Sequence, residues 1–398
     1  MLPETRKTGL EKNIWKFYLY RFFTSLIFIE PIFVLFLQDN GLSMSEVMWL
    51  QAAYYLLVVA LIVPAGVIAD HIGTKKVLVA NAVFFAVGWF VYAGGTGFWT
   101  FLAAEVILAA SGSMWEASGS PFVYDTMREL DRESEFKRKY GRIMGVTHLM
   151  WALGALAGGF IALHSFRLTF VVTGIACMIA LFVTLSFTPT RIYKHADKHY
   201  LTHLKEAVMF TARHPRIRLF IVYSSIIWGV FLSAVFFYQP YLQEAGIPLL
   251  YFGVIYFALD IVAGISSSLS DDIEKFLGER KILMIILGIM ITTYACMAYG
   301  FVSLAFMFPV ILSLGTGMVE PVINDYINKH VESHHRATVI SLQKFSGHLA
   351  IAILAPIFGW AADMWSISVA FAMAAGLLLI DLFILISAFT AIRRKEST

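Results

Sequence analysis

Ten ionisable side chains fall inside long apolar stretches of this chain: Arg21, Glu30, Glu105, Glu116, His148, Asp260, Glu320, Lys344, His348 and Asp381. Each costs about 2.5 to 3.5 kcal/mol on insertion scales when placed in hydrocarbon, so it is a functional candidate by default. A carboxyl in apolar surroundings can exchange a proton near neutral pH, which makes Glu116, Glu320 and Glu30 candidates for proton coupling. Glu105 and Glu116 are eleven residues apart, so on a helix they share a face about 16 Å apart along the axis. Arg21 and Glu30, nine apart, take opposite faces. Glu30 is the one expected to line a cavity, because Pro31 beside it kinks the helix, whereas Arg21 lies near enough to the membrane surface to snorkel. Lys344 and His348, four apart, share a face and with His148 make a polar relay; structural pairing with an acid across a helix interface is the alternative. Uncharged neighbours complete the set. Tyr223, Trp228, Tyr238 and Gln239, with Trp115, Glu105 and Asp260, suit a partly apolar ligand cavity, and Trp115 and Trp228 can stack on a planar or cationic ligand. Asp381 has no evident task.

These residues must be positioned by membrane helices. Of 398 residues 59% are hydrophobic and 14% charged, against about a quarter charged in soluble domains. A span needs about 20 apolar residues, and twelve such runs occur, at 15–37, 47–69, 77–93, 98–124, 143–163, 168–187, 219–238, 250–269, 282–299, 301–323, 337–361 and 369–392. The expected fold is an all-α membrane protein of twelve transmembrane helices. Residues 1–13 are too charged for a signal peptide, so the first span is expected to stay. Of the 30 Lys and Arg, only Arg167 lies on one face and only Arg21 and Lys344 lie inside spans, leaving 27 for the other face. By the positive-inside rule both termini and the central linker are cytoplasmic, and the protein sits in the cytoplasmic membrane. Within the linker, 203–218 reads either as a helix lying along the membrane surface or as a solvated basic connector. The two cysteines, Cys177 and Cys296, offer neither a disulfide framework nor metal-ligand spacing.

The halves repeat. Residues 111–117 (SGSMWEA) match 315–321 (GTGMVEP) at an offset of 204 that places Glu116 on Glu320. Gly73-Thr74-Lys75-Lys76 matches Gly278-Glu279-Arg280-Lys281 at 205, and His148 and Gly159 fall on His348 and Gly359 at 200. Three matches in order argue for two pseudo-symmetric six-helix halves, 1–187 and 219–398, joined by a linker at 188–218. A solute site is then expected near mid-membrane where the halves meet.

Residues 66–76 (GVIADHIGTKK) resemble the signature G-x-x-x-D-R-x-G-R-K of the major facilitator superfamily, and they fall in the expected loop after the second span. The resemblance implies that Gly66, Asp70, Gly73, Lys75, Lys76 and Asp125 form a conformational latch; His71 and Thr74 stand where the family usually has arginines. Residues 154–159 (GALAGG) resemble the G-P-x-x-G-G element of proton-coupled exporters with Ala155 in place of proline, although close helix packing alone accounts for the glycines. Glu105, where exporters usually carry arginine, and the run 124–127 (YDTM) resemble a subgroup of bacterial drug/proton antiporters. The family implies alternating-access transport without a cofactor, by a monomer in the lipid bilayer.

The leading expectation is therefore proton-coupled efflux of small amphipathic cationic or neutral compounds. The alternative is a proton-coupled importer or exporter of one defined metabolite. An enzyme is not indicated: there is no nucleotide-binding glycine loop, metal-ligand cluster or nucleophile motif. Nor is a nucleic-acid partner expected.

Overall fold

A computed structural model describes residues 3–191, 208–300, 304–331 and 333–396, and these residues contain helices and no strand. The helices are α1 (Glu4–Thr24), α2 (Phe33–Asp39), α3 (Met44–Ile72), α4 (Thr74–Gly94), α5 (Gly97–Glu129), α6 (Phe136–Ala162), α7 (Phe166–Leu185), α8 (Pro215–Ala234), α9 (Tyr238–Glu244), α10 (Leu250–Leu277), α11 (Glu279–Tyr299), α12 (Met307–His330), α13 (Ser333–Met364) and α14 (Ile367–Glu396). Among the described residues, eleven helical stretches are long and apolar enough to cross a membrane. The first expected span is not among them as one piece, because its apolar part is divided between α1, whose first half is charged, and α2. In the expected linker helix, 208–213 is helical; the rest of the linker from 192 to 207 lies outside the described residues.

The repeat is written in the backbone. A 3-10 turn at Glu30–Ile32 and the seven-residue α2 recur 205 residues later as the turn Val235–Phe237 and the seven-residue α9. The bounds of α4 and α11 also differ by 205, and so do Gly41 and Gly246, and Gly73 and Gly278, all four at positive φ. Gly73 and Gly278 precede α4 and α11 with φ of 91° and 80°, a conformation that penalises any side chain. By α7 and α14 the offset has fallen to 201. Up to the first residue of these helices the second half is thus four residues shorter, and the sequence matches at 204 and 200 put the loss near the connection between α12 and α13.

The chain packs as two units: Met1–Gly41 with Ala53–Asp197 and Leu249–Phe257, and Leu42–Ala52 with Lys198–Pro248 and Ala258–Thr398. In the first unit Tyr92 stacks on Phe101 (5.2 Å between ring centroids) and on Phe170 (5.5 Å), with Phe33 and Phe36 against them. The second unit repeats the arrangement, with Tyr294 stacked on Phe371 at 6.0 Å and Tyr238 and Tyr241 beside it. Such pairs contribute about 0.5–1.5 kcal/mol each beyond their burial, so both units are fastened at the same place. A second cluster in the first unit gathers Phe17, Tyr20, Phe122, Ile143 and Phe187.

The glycines of α6 explain how the broken first span is held. A Cβ at Gly154 would come within 2.8 Å of the Ile27 backbone nitrogen, and one at Gly158 would overlap the Phe28 carbonyl. Gly159 lies against the backbone of Gly253 in the same unit, and its repeat partner Gly359 lies against the Met44 carbonyl in the other. Packing is therefore what these glycines do, as close approach requires.

Candidate functional site

Arg21 departs most from expectation. It does not snorkel: it is 8% exposed in the last turn of α1, where the helix carbonyls favour a cation. Its guanidinium lies 4.2 Å from the centroid of the Trp115 ring, and Nε donates to Thr147 Oγ1 at 3.1 Å. The geometric reasoning that set Arg21 opposite Glu30 fails because α1 ends at Thr24 and Glu30 begins a separate 3-10 turn. Pro31 does mark that break, and Glu30 is half-buried in it.

Glu116 and Glu320 are both exposed on their helices, α5 and α12. Neither is inside the packing of its unit. Pro321, which follows Glu320, lies inside α12, and the helix runs through it without interruption. Glu105, on the same face of α5 as Glu116, is instead 3% exposed and accepts a hydrogen bond from Tyr92 Oη at 2.5 Å. It belongs to the aromatic core rather than to an open cavity. Tyr223 is likewise fully buried and donates to the Leu283 carbonyl at 3.0 Å, and Tyr238 is fully buried with its hydroxyl 3.4 Å from that of Tyr294. Both were expected to line a cavity; Tyr223 is held inside the helix packing by its bond to α11, and Tyr238 lies beside the Phe371 ring. Gln239 is also buried. Trp228 is half-buried and, with Ile227, Phe231, Thr316 and Val319, lines a shallow recess of α8 and α12.

Among the remaining acids, Asp260 is half-buried with Oδ2 unpartnered, and Asp381 is wholly buried with neither oxygen hydrogen-bonded among the described residues. His148 is exposed and meets Trp151 edge to face at 5.1 Å. Lys344 is exposed and His348 half-buried, one turn apart on α13.

In the expected latch, Asp70, Lys75 and Lys76 make no ion pair among the described residues. Gly66 has open space around it, and Asp125 is buried. The acid that does gather cations at the end of α5 is Glu129, which sequence reasoning missed. Its side chain is 1% exposed, pairs with Arg6 Nη2 at 2.8 Å, lies 3.9 Å from Arg191 Nε and accepts from the Arg191 backbone. Asn13 adds a reciprocal pair of hydrogen bonds with the Thr188 backbone, at 2.9 and 2.8 Å. Glu129 sits in a charged stretch that reads as solvated, so only the fold reveals it. Ser111, from the repeated motif, ties α5 to α4 by accepting from Asn81 Nδ2 at 2.9 Å, while Asn81 accepts from Tyr20.

Known proteins share this architecture. The crystal structure of nucleoside transporter NupG superposes with a TM-score of 0.78 at 14% identity, covering 96% of this chain and 99% of that one. A bacterial homologue of the human lysosomal transporter Spinster, in an inward-facing and unoccupied conformation, gives 0.73 at 14%, covering 97% and 96%. In sequence, the quinolone resistance protein NorA of Staphylococcus aureus is 24% identical over 178 residues, 44% of this chain and 45% of NorA. The riboflavin transporter RibZ of Clostridioides difficile is 22% identical over 167 residues, 41% of this chain and 35% of RibZ. Each alignment spans less than half the length of the relative. The Major Facilitator Superfamily model matches residues 19–355 and 277–398. With eleven helices long and apolar enough to span a membrane among the described residues, a backbone repeat at 205 and this match along the chain, the protein belongs to the Major Facilitator Superfamily.

Proposed function

We propose that this integral membrane protein is a proton-coupled exporter of small amphipathic cationic or neutral compounds, working by alternating access. The observation that carries the reading is the pair Glu116 and Glu320. They occupy repeat-related places on α5 and α12, and both are exposed. Carboxylates so placed can bind either a proton or a cationic solute, and competition for the same negative charge couples the two fluxes. Likeness to NorA supports the efflux direction. Likeness to RibZ supports the second reading, a transporter of one defined metabolite using the same carboxylates. The excess of Lys and Arg on one face favours the cytoplasmic membrane with both termini inside.

Reconstitution in proteoliposomes with an imposed pH gradient tests it. Amphipathic amines should move against their gradient, and Glu116→Gln and Glu320→Gln should each stop gradient-driven transport while retaining some binding. Uphill transport at the parent rate in both variants would shift coupling to Glu30, Glu105 or Asp260. Transport of a single metabolite and no other compound would select the second reading.

A further inference from the structure

The acids so far considered leave one strongly charged, deeply placed group without a task. Arg21 donates Nε to Thr147 Oγ1 at 3.1 Å and Nη1 to Thr24 Oγ1 at 3.5 Å. Nη2 has no acceptor among the described residues, yet it is not among the atoms sealed from the surface. A buried cation without an anion is costly, and a guanidinium presents its donors as a planar fork that fits a carboxylate. The plane of this fork is fixed. Trp115 lies under it at 4.2 Å, and Trp115 is itself held by Phe17 and Tyr20, each at 6.1 Å between ring centroids. Gly119, one turn on, gives the indole room: a Cβ there would come within 2.6 Å of Trp115 Cζ3. Fork, stacking ring and glycine all lie in the first unit.

Glu116 follows Trp115 in the chain and is exposed on α5. We infer that Arg21, braced by Trp115 and Gly119, receives the carboxylate of an amphipathic solute whose amine is drawn to Glu116, so that the substrate class extends to zwitterions. This rests on the transport reading above and refines it: cations use Glu116 alone, zwitterions use both groups.

The test uses three matched indoles with the purified full-length protein in detergent, followed by isothermal titration: tryptamine (amine only), indole-3-propionate (carboxylate only) and tryptophan (both). Tryptophan should bind about tenfold more tightly than tryptamine, as expected for a hydrogen-bonded charge. Arg21→Gln should abolish that difference and leave tryptamine affinity within about twofold of the parent value. Gly119→Ala, which keeps Arg21 but displaces its stacking ring, should also shrink the difference. If Arg21→Gln does not yield monodisperse protein, Arg21→Lys keeps the charge and loses the fork, and should reduce the preference in the same direction. The inference is overturned if tryptophan binds no better than tryptamine, if Arg21→Gln weakens all three alike, or if none of the three binds. Uphill transport of amines in proteoliposomes without any carboxylate preference would sink this inference alone. Absence of gradient-driven transport for every amphipathic amine would sink the underlying reading instead.

Discussion

The hydroxyl of Tyr92 donates to Glu105 Oε1 at 2.5 Å, within a box of Phe33, Phe101 and Phe170. A buried carboxyl loses more when a donor is taken away than when its own charge is removed, because the polar group remains desolvated. Tyr92→Phe should therefore lower stability by about 1–3 kcal/mol, read as a fall in Tm by tryptophan fluorescence in detergent. Glu105→Gln, which keeps an acceptor, should cost less. Equal losses from the two substitutions would remove Glu105 from the packing role assigned to it.

Asp381 offers the opposite case. It lies on the buried stripe of α14 with Phe371, Ala374, Leu378 and Leu385, and neither oxygen has a partner among the described residues. Replacing a buried polar group of this kind by an apolar one of similar volume is often neutral or stabilising by about 1–4 kcal/mol. Asp381→Leu should raise Tm and Asp381→Asn should leave it nearly unchanged. A collapse in expression for both would mean that the acid holds a partner essential to assembly.

At the end of α5, Arg6→Ala strips the salt bridge from a carboxylate that is 1% exposed. The expected cost is about 2–3 kcal/mol, and adding Glu129→Gln should recover part of it, since the uncompensated charge is then gone. Trypsin should also cut sooner at Arg191, whose backbone Glu129 anchors. Cleavage at the parent rate in the single variant would show that the other contacts of the segment suffice.

Two glycines separate packing from permissiveness. Gly158→Ala drives a methyl into the Phe28 carbonyl, whereas Gly66 has nothing within 4 Å of the corresponding position. Overpacking costs about 1–3 kcal/mol, so Gly158→Ala should lower Tm markedly and Gly66→Ala should not. Indistinguishable melting curves would mean that the first span yields readily.

The repeat was legible in the sequence where side-chain chemistry marks a constrained backbone, as at Gly73 and Gly278, or recurs on corresponding helices, as at Glu116 and Glu320. The break in the first span was announced by Pro31. Its counterpart at Val235–Phe237 contains no proline; the nearest sign is Pro240, three residues on in the first turn of α9, and the backbone comparison is what identifies the break. Burial was the poorest inference. Helical periodicity correctly puts Glu105 and Glu116 on one face of α5, but it cannot say that aromatic rings cover one end of that face and leave the other open. The same limit hid Arg21, whose environment comes from Trp115 on α5 and Thr147 on α6, far away in the chain.

The junction between α1 and α2 is a corner rather than a joint. A hinge requires a backbone whose freed groups can change partners. Here the Phe28 amide already has one, Thr173 Oγ1 at 3.2 Å, and Gly154 and Gly158 bring α6 against the residues that would have to turn. α2 is thereby denied a swing of its own on α1. Whatever moves in this unit carries those two turns along as cargo, and a substitution such as Thr173→Val would be the way to let them loose.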